Sequence, residues 1–192
     1  MMPQLLQRSL AGDAADVQAL VQTYQQPVYR LAYSILGDPA EAEEATQDTF
    51  VNALSALDSY RSEASLKTWL FAITINLCRK RLKKRKAKEL LIHTLGSLFR
   101  FSGEGPAHPE EVVIRREART ELWQAVEALG EKHRLPLVLH YQHELSVAEI
   151  AQVLDLRPGT VLSRLYTARE RLRVALSDKM EALHQAGENE SP

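Results

Sequence analysis

"SVAEIAQVLDLRPGTVLSRLYTARERLR", Ser146 to Arg173, has the pattern of two short helices with a tight joint between them. Ser146 followed three residues later by Glu149 is a capping box, with the hydroxyl on the third backbone N–H and the carboxylate reaching back to the cap. Ile150, Ala151 and Leu154 share one face, and the small Ala151 admits a second helix at close range. Leu156 plugs the turn, Pro158 fixes the backbone where the next helix begins, and Gly159 offers no side chain to obstruct a phosphate. Val161, Leu165, Ala168, Leu172 and Leu176 then form an apolar stripe. Arg157, Thr160, Ser163, Arg164, Thr167 and Arg171 fall largely outside it. This pattern predicts a helix-turn-helix, in which the amino end of the second helix meets base edges in the major groove. Arginine suits guanine bidentately, and Ser or Thr suits base or phosphate. A plain helical hairpin with a wet arginine face is the competing reading. The box, the alanine, the turn and the basic helix in combination favour DNA.

A second basic run, "RKRLKKRKAK" (Arg79 to Lys88), lies far upstream. It follows an acidic segment and contains only bases and apolar residues, whereas the whole chain of 192 residues carries a net charge of −1. The charge is therefore local and marks a site, since the molecule as a whole is no generic polyanion binder. Cations near a helix carboxyl end are also favoured by the dipole alone. "YRSEASLKTWLFAITINLCRKR" places Trp69, Asn76, Arg79 and Lys80 on or near one side of a helix, behind a polar loop holding Arg61, Ser62 and Lys67. An aromatic surface, backbone-directed charge and a polar pocket are what an unstacked single strand requires.

Apolar residues at 45% and charged residues at 26% describe a globular chain rather than a disordered one. Gly and Pro sit at punctuation points and no long alternation predicts a strand, so the fold class is all-α. A helix from Asp13 to near Gly37 carries the stripe Leu20, Tyr24, Val28, Leu31 and Ile35, with Pro27 expected to kink or break it. Asp38 and Pro39 open a second helix whose inner side holds Ala42, Ala45, Thr49, Ala53 and Leu57. A third starts near Ser65, with Trp69, Ile73, Asn76 and Leu77 in register. Gly, Ser and Pro without periodicity over 93–109 predict a flexible linker, in which Phe99 and Phe101 stand out. Helices follow at Ala118 to Leu129 and Lys132 to Gln142. The expected organisation is a helical domain over 1–92, the linker 93–109, a helix-turn-helix domain over 110–178, and a frayed tail over 179–192.

The three segments resemble, in order, those of an RNA polymerase sigma factor of the extracytoplasmic-function (ECF) type, in the sigma-70 family. "AEEATQDTFVNALSAL" resembles its polymerase-binding helix, "YRSEASLKTWLFAITINLCRKRLKKR" its −10 region, and "LSVAEIAQVLDLRPGTVLSRLYTARERLR" its −35 reader. The resemblance implies a region 2 domain, a region 4 domain, and two partners, core RNA polymerase and promoter DNA. It assigns Glu44, Gln47, Asp48, Phe50 and Val51 to the polymerase. Arg61, Ser62, Lys67, Trp69, Asn76, Arg79 and Lys80 go to the −10 element, and Arg157, Thr160, Ser163, Arg164, Thr167 and Arg171 to the −35 element. It also implies an anti-sigma factor clamping both domains. Leu162 and Thr167 depart from the family's pattern, each standing where a cation is frequent, which implies weaker phosphate contact and altered −35 preference.

No nucleophile–base–orienter set and no phosphate-cradling glycine loop is present, so no enzyme and no cofactor is expected. His140 and His143 lack the further ligands a metal needs, and read as exposed histidines near a domain seam. Cys78, the one cysteine, reads as a structural thiol rather than a redox sensor activated by Arg79 and Lys80. With no export signal and no apolar run of membrane-spanning length, a cytoplasmic protein without membrane insertion is expected. The alternatives are a helix-turn-helix regulator binding duplex DNA as a dimer without polymerase, and a sequestering protein that has lost its DNA role.

Overall fold

A computed structural model describes residues 14–57, 60, 64–98 and 121–189. Asp13, Arg61, Ser62, Phe99, Phe101 and Ala118, with most of the expected linker, lie outside the described residues. Every described element is a helix. The first, α1, spans Ala14–Leu36 and passes through Pro27 as one helix, so the expected break does not occur. Its stripe of Leu20, Tyr24, Val28, Leu31 and Ile35 is buried. Gly37 ends it at φ +74°, donating its N–H to the Tyr33 carbonyl at 2.9 Å. This left-handed position is the one a helix stop reserves for glycine.

Helix α2, Pro39–Ser55, begins as its sequence dictates: the Asp38 carboxylate accepts from the Glu41 N–H at 2.8 Å and Pro39 occupies the first turn. Ala42, Ala45, Thr49, Ala53 and Leu57 are all buried. Helix α3, Leu66–Leu98, is capped by Ser65, whose Oγ accepts the Thr68 N–H at 3.1 Å. Its buried face is Leu66, Thr68, Leu70, Phe71, Thr74, Ile75 and Cys78. The apolar register Trp69, Ile73 and Leu77 flanks that face and is only partly covered, while Asn76 is exposed. The core register is therefore shifted round the helix from the one the sequence suggests. Buried hydroxyls are satisfied: Thr49 Oγ1 donates to the Ala45 carbonyl and Thr74 Oγ1 to that of Leu70. The backbone of α3 stays helical to Leu98, past His93 where the pattern decays.

The carboxyl-terminal unit packs α4 (Glu121–Ala128), α5 (Glu131–Tyr141), α6 (Val147–Leu154) and α7 (Pro158–Asn189). The capping box is present in full. Glu149 N–H donates to Ser146 Oγ at 3.2 Å, and the Ser146 N–H donates to Glu149 Oε2 at 2.9 Å. The Ser146 hydroxyl, donating to Glu149 Oε2 at 2.7 Å, and then the Ser146 N–H hold the Glu149 carboxyl below the usual carboxylate range. Asp155 then turns the chain in the left-handed conformation (φ 53°, ψ 57°), and the Leu156 N–H returns to the Ala151 carbonyl at 2.9 Å. Ile150, Ala151 and Leu154 bury against Val161, Leu165 and Ala168. Helix α7 runs on to Asn189, through the segment expected to fray.

The two units meet. Helix α3 packs on α6 and α1 on α5. At this seam Lys67 Nζ donates to the His143 carbonyl and Phe71 meets the His143 ring edge-on, with centroids 4.8 Å apart. Arg79 Nε bonds Glu131 Oε1 at 2.8 Å.

Candidate nucleic-acid and partner interfaces

Helix α2 carries an outward face at three- and four-residue steps: Glu44, Gln47, Asp48, Val51 and Leu54. Val51 is 63% exposed, which leaves an apolar contact among carboxylates and amides. Phe50 does not share this face. Only 7% of it is exposed, because adjacent helix positions are about 100° apart and Phe50 turns toward the core beside Thr49 and Ala53. Leu54, absent from the sequence-based set, is found by carrying the same walk one turn beyond Val51. Gln25, Gln26 and Tyr29 of α1 line a shallow polar groove with Glu43, Thr46 and Gln47, extending the face sideways.

The acids of this face do not stand alone. Arg81 of α3 donates from one guanidinium nitrogen to Glu44 Oε2 at 2.8 Å and from the other to Asp48 Oδ2 at 2.5 Å. These bonds raise the Arg81 pKa, chiefly through Glu44 and then Asp48. Arg85 pairs with Glu41 at 3.4 Å. The basic run therefore divides: two of its arginines tie α3 to α2, while Lys80, Lys83, Lys84, Lys86 and Lys88 point into solvent.

On α3, Trp69, Asn76 and Lys80 follow seven- and four-residue steps along one open face. Trp69 is half-buried, its ring tilted at 55° to that of Tyr60 with centroids 5.1 Å apart. Arg79 sits at the edge of this face, held by Glu131. Lys67 is elsewhere, in the seam, with its ammonium on the His143 carbonyl and 5.8 Å from the centre of the Phe71 ring. Two of the residues expected on nucleic acid are thus engaged by the carboxyl-terminal unit. No local pattern connects residues so distant in sequence.

Arg157, just ahead of α7, is exposed, as are Ser163 and Arg171 on it, and Thr160, Arg164 and Thr167 are half-buried, so all six keep clear of the stripe. Thr167 Oγ1 donates to the Ser163 carbonyl at 3.0 Å. A Cβ at Gly159 would meet open space, so nothing within the chain demands glycine there.

His143 is buried, with 4% exposed, which corrects the expectation of an exposed ring, although the seam is where it lies. Burial, with Lys67 and Arg30 nearby, lowers its pKa to about 4. His140 Nδ1 meets the Leu145 carbonyl at 2.9 Å. Among the described residues, no group of three or more His, Cys, Asp or Glu side chains is placed to hold a metal. Cys78 is fully buried, and burial pushes its thiol up to about 12, the reverse of an activated sensor. Among the described residues no helix is long and apolar enough to cross a membrane.

Comparison with known proteins places these surfaces in context. Residues 20–88 match the family described as Sigma-70 region 2, and residues 119–172 match Sigma-70, region 4. The chain is 32% identical over 173 residues to the ECF RNA polymerase sigma factor SigW of Bacillus subtilis, covering 87% of this chain and 92% of the relative. It is 31% identical over 179 residues to the RNA polymerase sigma-H factor of Pseudomonas aeruginosa, covering 90% and 92%. Among solved structures, the fold is similar to the sigma factor RpoE in complex with the anti-sigma factor NepR from Bartonella quintana. The TM-score is 0.65 at 24% identity, covering 84% of this chain and 97% of that one. CnrH in complex with the cytosolic domain of CnrY gives the same score and identity, covering 91% and 96%.

Proposed function

The chain belongs to the ECF class of RNA polymerase sigma factors, in the sigma-70 family, and from that premise we propose how its residues divide the work. As an alternative sigma factor it joins core RNA polymerase and directs initiation at the promoters it selects. Residues 1–92 form region 2, with its last helix extending to Leu98. Residues 93–109 are the linker, 110–178 region 4 and 179–192 the tail. Glu44, Gln47, Asp48 and Val51 dock on the polymerase, joined by Leu54, with Arg81 holding two of the carboxylates in place. Phe50 supports that helix from the core. Trp69, Asn76 and Lys80 receive the opened −10 strand, joined by Arg61 and Ser62, which precede them in sequence. Lys67 and Arg79 join them when the seam parts. The amino end of α7 lies in the −35 major groove, presenting Arg157, Thr160, Ser163, Arg164, Thr167 and Arg171.

The observation that carries this reading is the pair of separate outward surfaces, the aromatic and cationic face of α3 and the polar face of α7. Each belongs to its own helical unit. A regulator that binds duplex alone needs only the second. Phosphodiester chemistry belongs to the polymerase, so the chain has no catalytic activity of its own. It acts in the cytoplasm, where the polymerase is. The solved neighbours are held by anti-sigma partners, and a partner of that kind restrains this chain as well. The experiment is to combine the purified chain with core polymerase and present a promoter fragment with an opened −10 bubble, then duplex alone. Specific binding that requires polymerase supports the reading. Tight dimeric binding of duplex without polymerase overturns it.

A further inference from the structure

The outward side of α7 is not uniformly polar. Val161, Leu165 and Ala168 are buried beneath it, which turns Leu162, Ser163, Tyr166 and Thr167 outward over the first three turns. Leu162 is 52% exposed and Tyr166, one turn on, 65%. Arg169 and Arg173 continue the same face at steps of three and four, both exposed, with Arg173 also near Glu170 at 3.2 Å. Arg157 lies exposed just ahead of the helix. Two large apolar groups therefore sit at the end of the helix that leads into the groove, with cations before and behind them. A protein-binding patch would be expected to spread over several elements. Here the apolar surface is a narrow strip whose neighbours Arg157, Arg169 and Arg173 outnumber the one acid beside them on the helix, Glu170, which suits a polyanion. In the major groove of B-DNA the apolar group on offer is the 5-methyl of thymine, which only A·T pairs carry.

We infer that Leu162, walled by Tyr166, is a specificity-determining contact that selects thymine at one position of the −35 element through its methyl group. The inference rests on the sigma-factor reading above. It replaces a charge-based contact, which would grip phosphate whatever the sequence, with one that discriminates a base while adding nothing to the salt dependence.

Uracil in place of thymine removes the methyl group and leaves base pairing intact, so the probe is on the DNA. Holoenzyme is first shown to initiate from its preferred promoter; failure there sinks the sigma reading itself. Each −35 thymine is then replaced singly by uracil and binding of holoenzyme is titrated. One position should weaken about three- to tenfold, as expected for a lost apolar contact. Leu162→Ala should bind the thymine and uracil templates equally, at the level of the uracil template with the unaltered protein. Leu162→Arg should also lose the discrimination while steepening the salt dependence. Equal binding of thymine and uracil at every −35 position, a preferred element without thymine, or discrimination that persists in Leu162→Ala would each overturn the inference.

Discussion

Phe50 and Val51 are neighbours in sequence with opposite duties. Replacing Phe50 with Ala empties a core site, and the expected cost is about 3–5 kcal/mol of stability, read by denaturant unfolding. Val51→Ala should leave unfolding within about 0.5 kcal/mol while weakening association with core polymerase. If the two variants were equally stable, Phe50 would not be where the structure places it. Cys78 supplies a second check at this scale. A thiol raised to about 12 by burial holds almost no thiolate at pH 8, so alkylation should be negligible in the native chain and rapid in denaturant. Rapid native labelling would restore the redox reading. Both residues show how far local sequence can be trusted. The α2 stripe names the inner positions through small residues, yet it says nothing of which way a large aromatic beside them turns.

At the scale of the element, caps were the most legible feature. Asp38, Ser65 and Ser146 each satisfy a backbone donor that a helix start leaves orphaned, and such chemistry is local. Ser146→Ala should cost about 1 kcal/mol and lower the thermal midpoint of the carboxyl-terminal unit; an unchanged midpoint would mean the box contributes nothing. The helix-turn-helix stripe was legible for a similar reason, because Val161, Leu165 and Ala168 bury against a partner helix close in sequence. Helix α3 was harder. Thr68, Thr74 and Cys78 belong to its buried face, and a walk by hydropathy passes over them in favour of Trp69, Ile73 and Leu77. The basic run was also only half read. Arg81 and Arg85 are committed to acids more than thirty residues away, a pairing no spacing rule announces.

At the scale of the whole molecule the seam between the units sets what is available. It occupies Lys67 and Arg79, and it buries His143 against Phe71. The arrangement makes the closed form sensitive to acid, and the sign follows from the lowered pKa. Above about pH 6.5 the ring is neutral whether the units are together or apart. Between 6.5 and about 4 a solvated ring takes a proton that the buried ring refuses, so the closed form loses ground as pH falls. From pH 7.5 to 5.5 the ratio of closed to parted forms should drop about tenfold, measured as distance between labels on the two units. His133, whose pKa is also lowered by burial, works in the same direction within its own unit. His143→Gln should flatten most of the response, and a profile unaltered by that change would locate the sensitivity elsewhere. The sequence placed His143 near this seam, but the contacts across it were illegible because their partners are distant in the chain and share no period.

One chain makes polymerase read two separate promoter elements. The most direct measurement is footprinting of the reconstituted holoenzyme on a promoter selected from a random library. An unpaired −10 segment and a protected −35 duplex should appear together. Trp69→Ala should remove the first, and Arg164→Ala with Arg171→Ala the second. Promoter protection by the chain alone, equal to that of the holoenzyme, would contradict this reading.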